Sequence, residues 1–398
     1  MPKKTVKNIE LNNKKVIVRE DYNVPLDNKG KIIDYTRIDE SLPTLNYLIK
    51  NKASVIIISH LGRPNGKDKN FSLYAIANYL SRKINKKVKF IDDCLGTKVK
   101  EEISKIKPGE VILLENLRFY SEEEENDIKF AEELSKYGDI FVCDAFGALH
   151  REHASVHMLP KLMKKLGKNS VAGFLVEKEL FYLDKSIKNP ERPFLVILGG
   201  NKISTKINVI NNLLEKVDKL IIGGGMANTF LKSQNINIGK SKVEYDKIDF
   251  ACEMLKKSKE KGIEVILPTS LVVTDPETRK IIKIVDKGNI PENMENADIG
   301  PETIKNFSKE IKKTKTIFWN GPLGIYEIEN FSKGTIKIAK LIASLNNKTS
   351  IIGGGDSVAA ISKAKVKNKI NHISTGGGAF LDLIGGKNLP GLEELEDM

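Results

Sequence analysis

RPFLVILGGNK, residues 192–202, runs from five apolar residues straight into a glycine pair and then a lysine. A run of that length reads as a core strand that turns through glycine into a helix. The pattern recurs as DKLIIGGGMA (218–227), TSIIGGGDS (349–357) and NHISTGGGA (371–379). Glycine lets the backbone turn tightly, and a helix that starts there offers unpaired N–H groups and a positive dipole end to phosphate. One such turn is weak; four within one half of a chain point to a nucleotide-type site. Lys202 and Lys206 stand four apart at the start of the first helix, which would aim both ammonium groups the same way, toward whatever the glycines hold.

No standard nucleotide fingerprint accounts for these turns. No G-x-G-x-x-G opens a strand–helix unit, which argues against a nicotinamide dehydrogenase. GKS at 239–241 lacks its upstream glycine, because Gln234 stands there. The protein-kinase motif set is absent as well.

The first half alternates apolar runs with helix-period segments. KKVIVRE leads into DYNVP, ASVIIISH into LGRP, EVILLEN into LRFY, and DIFVCD into AFGALHR. Between them Ile38, Leu42, Leu45 and Ile49 fall on one helix face, and SLYAIANYLSRKI reads as another helix. Such alternation predicts right-handed strand–helix–strand units and a mostly parallel sheet, with ligands beyond the carboxyl ends of the strands. Those ends carry Asp21, Asn23, His60, Arg63, Asn116, Arg118, Asp144 and Arg151, and Arg37 follows in the loop entering the first helix.

The chain has 398 residues, enough for two domains, and a formal net charge of +13. Its lysines are scattered, with no basic run interleaved with aromatics, so a basic nucleic-acid-binding protein is the weaker alternative. Only eight of the 65 basic residues are arginine. In so lysine-rich a chain an arginine marks places where a planar fork is needed for an anion. Six lie at or before residue 151: Arg19, Arg37, Arg63, Arg82, Arg118 and Arg151. The start, MPKKTVKNIE, has no apolar core of a signal peptide, and the longest apolar runs are too short to span a bilayer. Cys94, Cys143 and Cys252 form no pairing pattern, which suits a reducing cytoplasm.

Three features lie between the two patterns. SVAGFLVEKELFYLDKSIKNPERP has helical spacing at Val176, Leu180 and Leu183 and reads as a connecting helix. SEEEEND (121–127) reads as a solvated acidic helix start. DAFGALHREHASVH (144–157) holds His150, His153 and His157, a spacing that could suit a metal. Arg151 interleaves with them at a strand end beside other cations, which disfavours a dication. His153 is expected to support an anion site and His157 to be structural. One half therefore presents an Arg/His anion site and the other a glycine-lined phosphate site, which suggests phosphoryl transfer across a closing cleft.

The segments VREDYNVPL, DYTRIDESLPTL, SHLGRP, LLENLRFY, DAFGALHREHAS, LGGNKISTK, IIGGGMANTFL, DIGPET, WNGPLGIYE, GGGDSVAA and HISTGGGAFLDLIGGKNLPG occur in the order of the phosphoglycerate kinase family, which the chain resembles over essentially its whole length. The resemblance implies an α/β fold of two Rossmann-like domains joined by a hinge helix. Their expected bounds are 1–170 for the glycerate domain, 171–188 for the hinge, 189–375 for the nucleotide domain, and 376–398 for a tail returning to the first. It implies a cytoplasmic monomer, acting on no membrane or nucleic acid, that exchanges phosphate between 1,3-bisphosphoglycerate and ADP with Mg2+.

By matching motifs, 3-phosphoglycerate should meet Asp21, Asn23, Arg37, His60, Arg63, Arg118 and Arg151. The nucleotide should meet Gly199, Lys202, Lys206, Gly223, Gly224, Asn320, Gly321, Pro322, Glu327, Gly353, Gly354, Gly355, Asp356 and Ser357. Glu327 would hold the ribose and Asp356 the metal. An acyl phosphate carries a good leaving group, so no general base is needed. The work left is alignment and neutralising the phosphoryl group in flight, which is expected of Arg37, Lys202, Lys206 and the backbone N–H groups of Gly376, Gly377 and Gly378. Asn201 and Thr205 stand where the family usually has Ala and Asp, Ala148 interrupts the usual GTAHR, LPTS (267–270) replaces a more usual LPVD, and Gly385 replaces a frequent Glu.

Overall fold

The computed structural model describes residues 2–27, 30–183, 187 and 189–398. The chain divides into two compact units, Met1–Phe181 with Asn388–Met398, and Tyr182–Lys387.

The first unit is built on six strands: β1 (Lys15–Arg19), β2 (Ser54–Ile58), β3 (Val88–Ile91), β4 (Val111–Leu114), β5 (Ile140–Cys143) and β6 (Asn169–Ala172). They lie in the order β3-β4-β2-β1-β5-β6 and every pairing is parallel. Val55, Ile56, Ile57 and Ile58 are all fully buried. Consecutive burial means helices cover both faces, as a parallel sheet requires. On one face helix Thr36–Lys50 buries Ile38, Leu45 and Leu48, and helix Tyr74–Lys83 buries Ile76, Ala77 and Leu80. β3 and β6 escape a reading of apolar runs, because both are short edge strands and β3 alternates buried Val88 with exposed Lys89.

The second unit contains β7 (Phe194–Leu198), β8 (Lys219–Ile222), β9 (Glu264–Ile266), β10 (Ser270–Thr274), β11 (Ile282–Asp286), β12 (Glu295–Ile299), β13 (Thr316–Asn320), β14 (Thr349–Gly353) and β15 (His372–Ile373). Its main sheet is parallel, in the order β15-β14-β13-β7-β8-β9. The chain winds outward from β7 on one side and from β13 on the other, so the winding reverses between these two strands. Open α/β sheets bind ligands beyond the carboxyl ends at such a switch point. β13 was not among the strands expected from glycine turns, yet it occupies the centre. A separate antiparallel sheet, β11-β10-β12, adds the only non-parallel ladders among the described strands.

The helix expected between the halves runs from Phe174 to Leu183, with residues 170–172 at its expected start belonging instead to β6, and the division between the units falls inside it. Residues 184–186 and 188 of the expected hinge, 171–188, lie outside the described residues. Val176 and Leu183 are buried and Leu180 is half-buried. The C-terminal return begins later than 376. Helix Gly377–Ile384 belongs to the second unit, where Phe380 packs 5.6 Å from Phe318 and Asn212 Nδ2 donates to Ile384 O. The last eleven residues join the first unit through Gly391 N to Leu149 O at 3.0 Å, Lys4 N to Glu396 O at 2.8 Å and Glu396 N to Ser170 O at 2.9 Å. No helix of the described residues is long and apolar enough to cross a membrane.

Candidate active site

On the first unit the cations gather at the carboxyl edge of the sheet. Arg37, in the first turn of its helix, donates to Asp21 Oδ2 at 2.5 Å. Asp21 Oδ1 accepts from Asn23 N at 3.2 Å, and Asn23 Oδ1 accepts from Gly62 N at 2.9 Å. Arg118 donates to Gly62 O at 2.6 Å and pairs with Glu124 at 3.1 Å. Arg63 is exposed in the same loop, and Arg151 is half-buried with Nε 3.4 Å from His150 Nε2. Asp21, Asn23, Arg37, His60, Arg118 and Arg151 are thus brought together. Arg82 is not: it ends helix Tyr74–Lys83, beside the Tyr79 ring.

The electrostatics follow from this crowding. Burial, then Arg19, Arg118, Arg37 and Arg151, hold the His60 imidazole well below its usual range. Burial, Arg118, Arg19 and Arg151 push His153 down to about 3. Both rings are therefore neutral near pH 7, and His60 Nδ1 lies 3.1 Å from Arg19 NH2. His157 Nδ1 lies 2.9 Å from Asn126 Nδ2 and its Nε2 is 3.8 Å from Glu394, ties within the unit's own framework.

Three strand-end residues have a different role from the one their position suggested. Asn116 turns inward: its Oδ1 accepts from Leu61 N and Arg118 N, and its Nδ2 donates to Leu61 O and Phe71 O. Asp144 is buried and accepts from Thr44 Oγ1 and from Leu175 N and Val176 N. Arg19 is 1 % exposed and lies under the site, not in it. Its Nε donates to Ser155 Oγ at 2.7 Å, its NH1 to Glu20 O, and its NH2 lies 3.1 Å from His60 Nδ1 and 3.7 Å from Glu123. Glu123 corrects the reading of SEEEEND as a solvated face. It is fully buried and accepts from Ser155 N at 2.9 Å and Ser155 Oγ at 2.6 Å.

On the second unit the glycine turns meet at the switch point. Gly199 N donates to Asn320 O, and Gly200 N to Pro322 O, both at 2.8 Å. A methyl group at Gly199 would run into the carbonyl oxygens of Gly321 and Pro322, so only glycine lets the two turns approach. Gly223 packs on Leu323, and Gly224 N donates to Leu323 O at 3.2 Å. Asn320 Nδ2 donates to Gly353 O at 2.8 Å, and Ser357 Oγ accepts from Gly321 N at 2.6 Å. Gly354 has φ +90°, a left-handed conformation that favours glycine, and it opens helix Gly355–Lys363. Asp356 is exposed in that helix's first turn, and Tyr326 Oη lies 3.4 Å from its Oδ1. Glu327 is exposed beside Tyr326, and Gly377 starts helix Gly377–Ile384.

Lys202 and Lys206 do not share a helix face. Lys202 precedes a 3-10 turn, Ser204–Lys206, and the α-helix begins only at Ile207. Glu244, which nothing in its neighbourhood of sequence singles out, caps this turn. Its carboxylate accepts from Ile203 N, Ser204 N and Ser204 Oγ and takes the N–H groups of the turn. Lys206 is half-buried with Nζ toward Gly200; burial lowers its pKa and nearby Asp356 opposes that. Lys202 is exposed, and Thr205 Oγ1 donates to its carbonyl at 3.0 Å.

Asp298 underlies this site. Its Oδ2 accepts from Gly334 N at 2.7 Å and its Oδ1 from Ile299 N at 2.9 Å, against Gly324. Burial pushes its carboxyl up to about 7. A group raised in the folded state contributes stability that is full below its unfolded pKa, near 4, and lost as pH rises through 7. The thermal midpoint of the parent should therefore fall more between about pH 5 and pH 8 than that of Asp298→Asn, which stays neutral throughout. Parallel pH profiles in scanning calorimetry would rule this out.

A family model described as phosphoglycerate kinase matches residues 6–387. A phosphoglycerate kinase of Borreliella afzelii is 48% identical over 396 residues, covering 99% of each chain. The cytosolic enzyme of Triticum aestivum is 48% identical, with 99% of this chain and 98% of that one covered. Among solved structures, phosphoglycerate kinase from Coxiella burnetii aligns with a TM-score of 0.88 at 40% identity, over 99% of this chain and 98% of that one.

Proposed function

The chain belongs to the phosphoglycerate kinase family, and from that premise we propose how its residues carry the reaction. It is an enzyme that reversibly transfers the acyl phosphate of 1,3-bisphosphoglycerate to ADP. The observation that carries the residue assignment is the chain of contacts that joins Arg37 through Asp21, Asn23 and Gly62 to Arg118 at one strand-end edge, beside His60. Such a cluster suits an anionic ligand. We assign 3-phosphoglycerate to Asp21, Asn23, Arg37, His60, Arg63, Arg118 and Arg151, with Arg19 supporting from below. The alternative of a basic nucleic-acid-binding protein is set aside, since these arginines serve one strand-end edge and not an extended basic surface.

ADP or ATP is assigned to the glycine turns of the second unit, with Lys202, Lys206 and the helix starts at Gly355 and Gly377 supplying positive charge. Asn320 and Ser357 would act by holding the turns, and Glu327 would take the ribose. The ADP β-phosphate attacks the acyl phosphorus and the glycerate carboxylate leaves, so no proton has to move. Arg37, Lys202, Lys206 and the N–H groups of residues 376–378 are assigned to the charge of the phosphoryl group in flight. Transfer requires the two ligands to meet in line, and we propose that ligation of both units together drives that step.

Asp356 presents hard carboxylate oxygens where phosphates are expected, a donor that fits Mg2+. Mg2+ bound there would neutralise nucleotide phosphate charge. Asp356→Ala should raise the KM for Mg-nucleotide at least ~10-fold while leaving that for 3-phosphoglycerate within about twofold. Equal rises in both constants would remove the metal role. Three free cysteines, two of them buried, suit a reducing compartment, and one chain carries both ligand sets; we propose a cytoplasmic monomer. The test of the whole reading is ADP release from ATP, dependent on 3-phosphoglycerate, in a coupled assay; no such dependence would overturn it.

A further inference from the structure

Helix Thr36–Lys50 carries Arg37 at one end and a stripe of contacts along the same side. Arg37, Glu40, Thr44 and Tyr47 are spaced by three, four and three residues, which places them on one helix face. Glu40 pairs with Lys178 at 3.0 Å. The Tyr47 ring meets the Phe174 ring edge-on at 5.1 Å. Both partners belong to helix Phe174–Leu183, the helix that crosses the division between the units.

Thr44 sits between them and does something more specific. The first N–H groups of a helix have no partner within it and are ordinarily met by the side chain of the residue just before. Here that residue is Gly173, which has no side chain. The N–H groups are met from elsewhere. Phe174 N donates to Thr44 Oγ1 at 2.8 Å, and Leu175 N and Val176 N donate to Asp144 Oδ1 at 2.8 and 3.1 Å. Thr44 Oγ1 in turn donates to Asp144 Oδ2 at 2.5 Å, closing a ring of four bonds. A methyl group at 173 would occupy the place of the Asp144 carboxyl, so the glycine is what admits the cap. The start of the linking helix is thus held by a strand end and by the helix that presents Arg37.

We propose that Thr44 and Asp144 are positioning residues for the transfer reaction. They couple the helix bearing Arg37 to the start of the linking helix, so that engagement of an anion by Arg37 is passed along that helix. This rests on the assignment of 3-phosphoglycerate to the first unit. It needs no contact between Thr44 and substrate, and it separates turnover from binding.

Thr44→Val removes both bonds of the hydroxyl at nearly constant volume, and Thr44→Ser keeps them. Thr44→Val should lower kcat ~10-fold or more with binary Kd values for 3-phosphoglycerate and Mg-ADP within about twofold of the parent, and Thr44→Ser should return kcat to within about twofold. A kcat for Thr44→Val matching the parent, or an equal loss in Thr44→Ser, would overturn the coupling. Hydrogen exchange gives a second reading that does not depend on the variant folding. In the parent, 3-phosphoglycerate should slow exchange at the amides of Phe174, Leu175 and Val176; binding of 3-phosphoglycerate without that change would also overturn it. Loss of all activity in the parent would instead count against the proposed function.

Discussion

Arg37→Ala is expected to lower kcat by at least ~100-fold, the scale set by losing one charged donor to the transferring group. The structure adds a reason for a large effect. Arg37 is pre-aimed by its 2.5 Å bond to Asp21, which is itself buried and tied to Asn23 N. The guanidinium therefore gives up little freedom when an anion arrives. Alanine removes the donor and leaves Asp21 without its cation, so a repelling carboxylate faces the substrate. Arg37→Lys should recover only part of the loss, because one ammonium cannot serve Asp21 and an incoming anion with a fixed fork. Steady-state kinetics would check both variants; an Arg37→Ala kcat within threefold of the parent would sink the assignment.

The largest effect on stability is expected from Arg19→Met, a cost of about 3 kcal/mol or more. Arg19 and Glu123 are each 1% exposed at the side chain. Burial already pushes the Glu123 carboxyl above its usual range, against the pull of Arg19 and Ser155. Methionine fills much of the volume but leaves Glu123, the Glu20 carbonyl, Ser155 and His60 without a shared donor. Urea denaturation followed by circular dichroism should show the loss. The double variant Arg19→Met, Glu123→Leu should be more stable than Arg19→Met alone, because it removes the abandoned charge as well. If the double variant is no better, the penalty arises from packing and not from an uncompensated carboxylate.

Much of the fold is legible in the sequence. Unbroken apolar runs such as VIIIS and FLVIL can be satisfied only where helices cover both faces of a sheet, and the glycines after them mark strand-end turns. β2, β7, β8 and β14 stand where those runs lie. The edge strands β3 and β6 and the largely exposed edge strand β11 are weaker in pattern, since an edge or a half-exposed strand needs fewer apolar residues. β13 is central because the chain winds away from it in one direction and from β7 in the other, a matter of strand order that no local run contains.

The residues of the site divide in the same way. The sequence by itself determined which strand ends carry cations and which carry glycines, because strand direction follows from the alternation of strand and helix. Only the tertiary structure decided which polar side chains at those ends face outward. Asp144 turns inward because Thr44, 100 residues away, and the start of the linking helix meet it there. Glu123 is buried because Ser155 and Arg19 supply its donors, and Glu244 caps the turn after Lys202 by taking the N–H groups of Ile203 and Ser204. A buried polar group must find partners, and those partners are brought by chain segments far apart in sequence; the direction in which such a side chain points is therefore a property of the assembled fold.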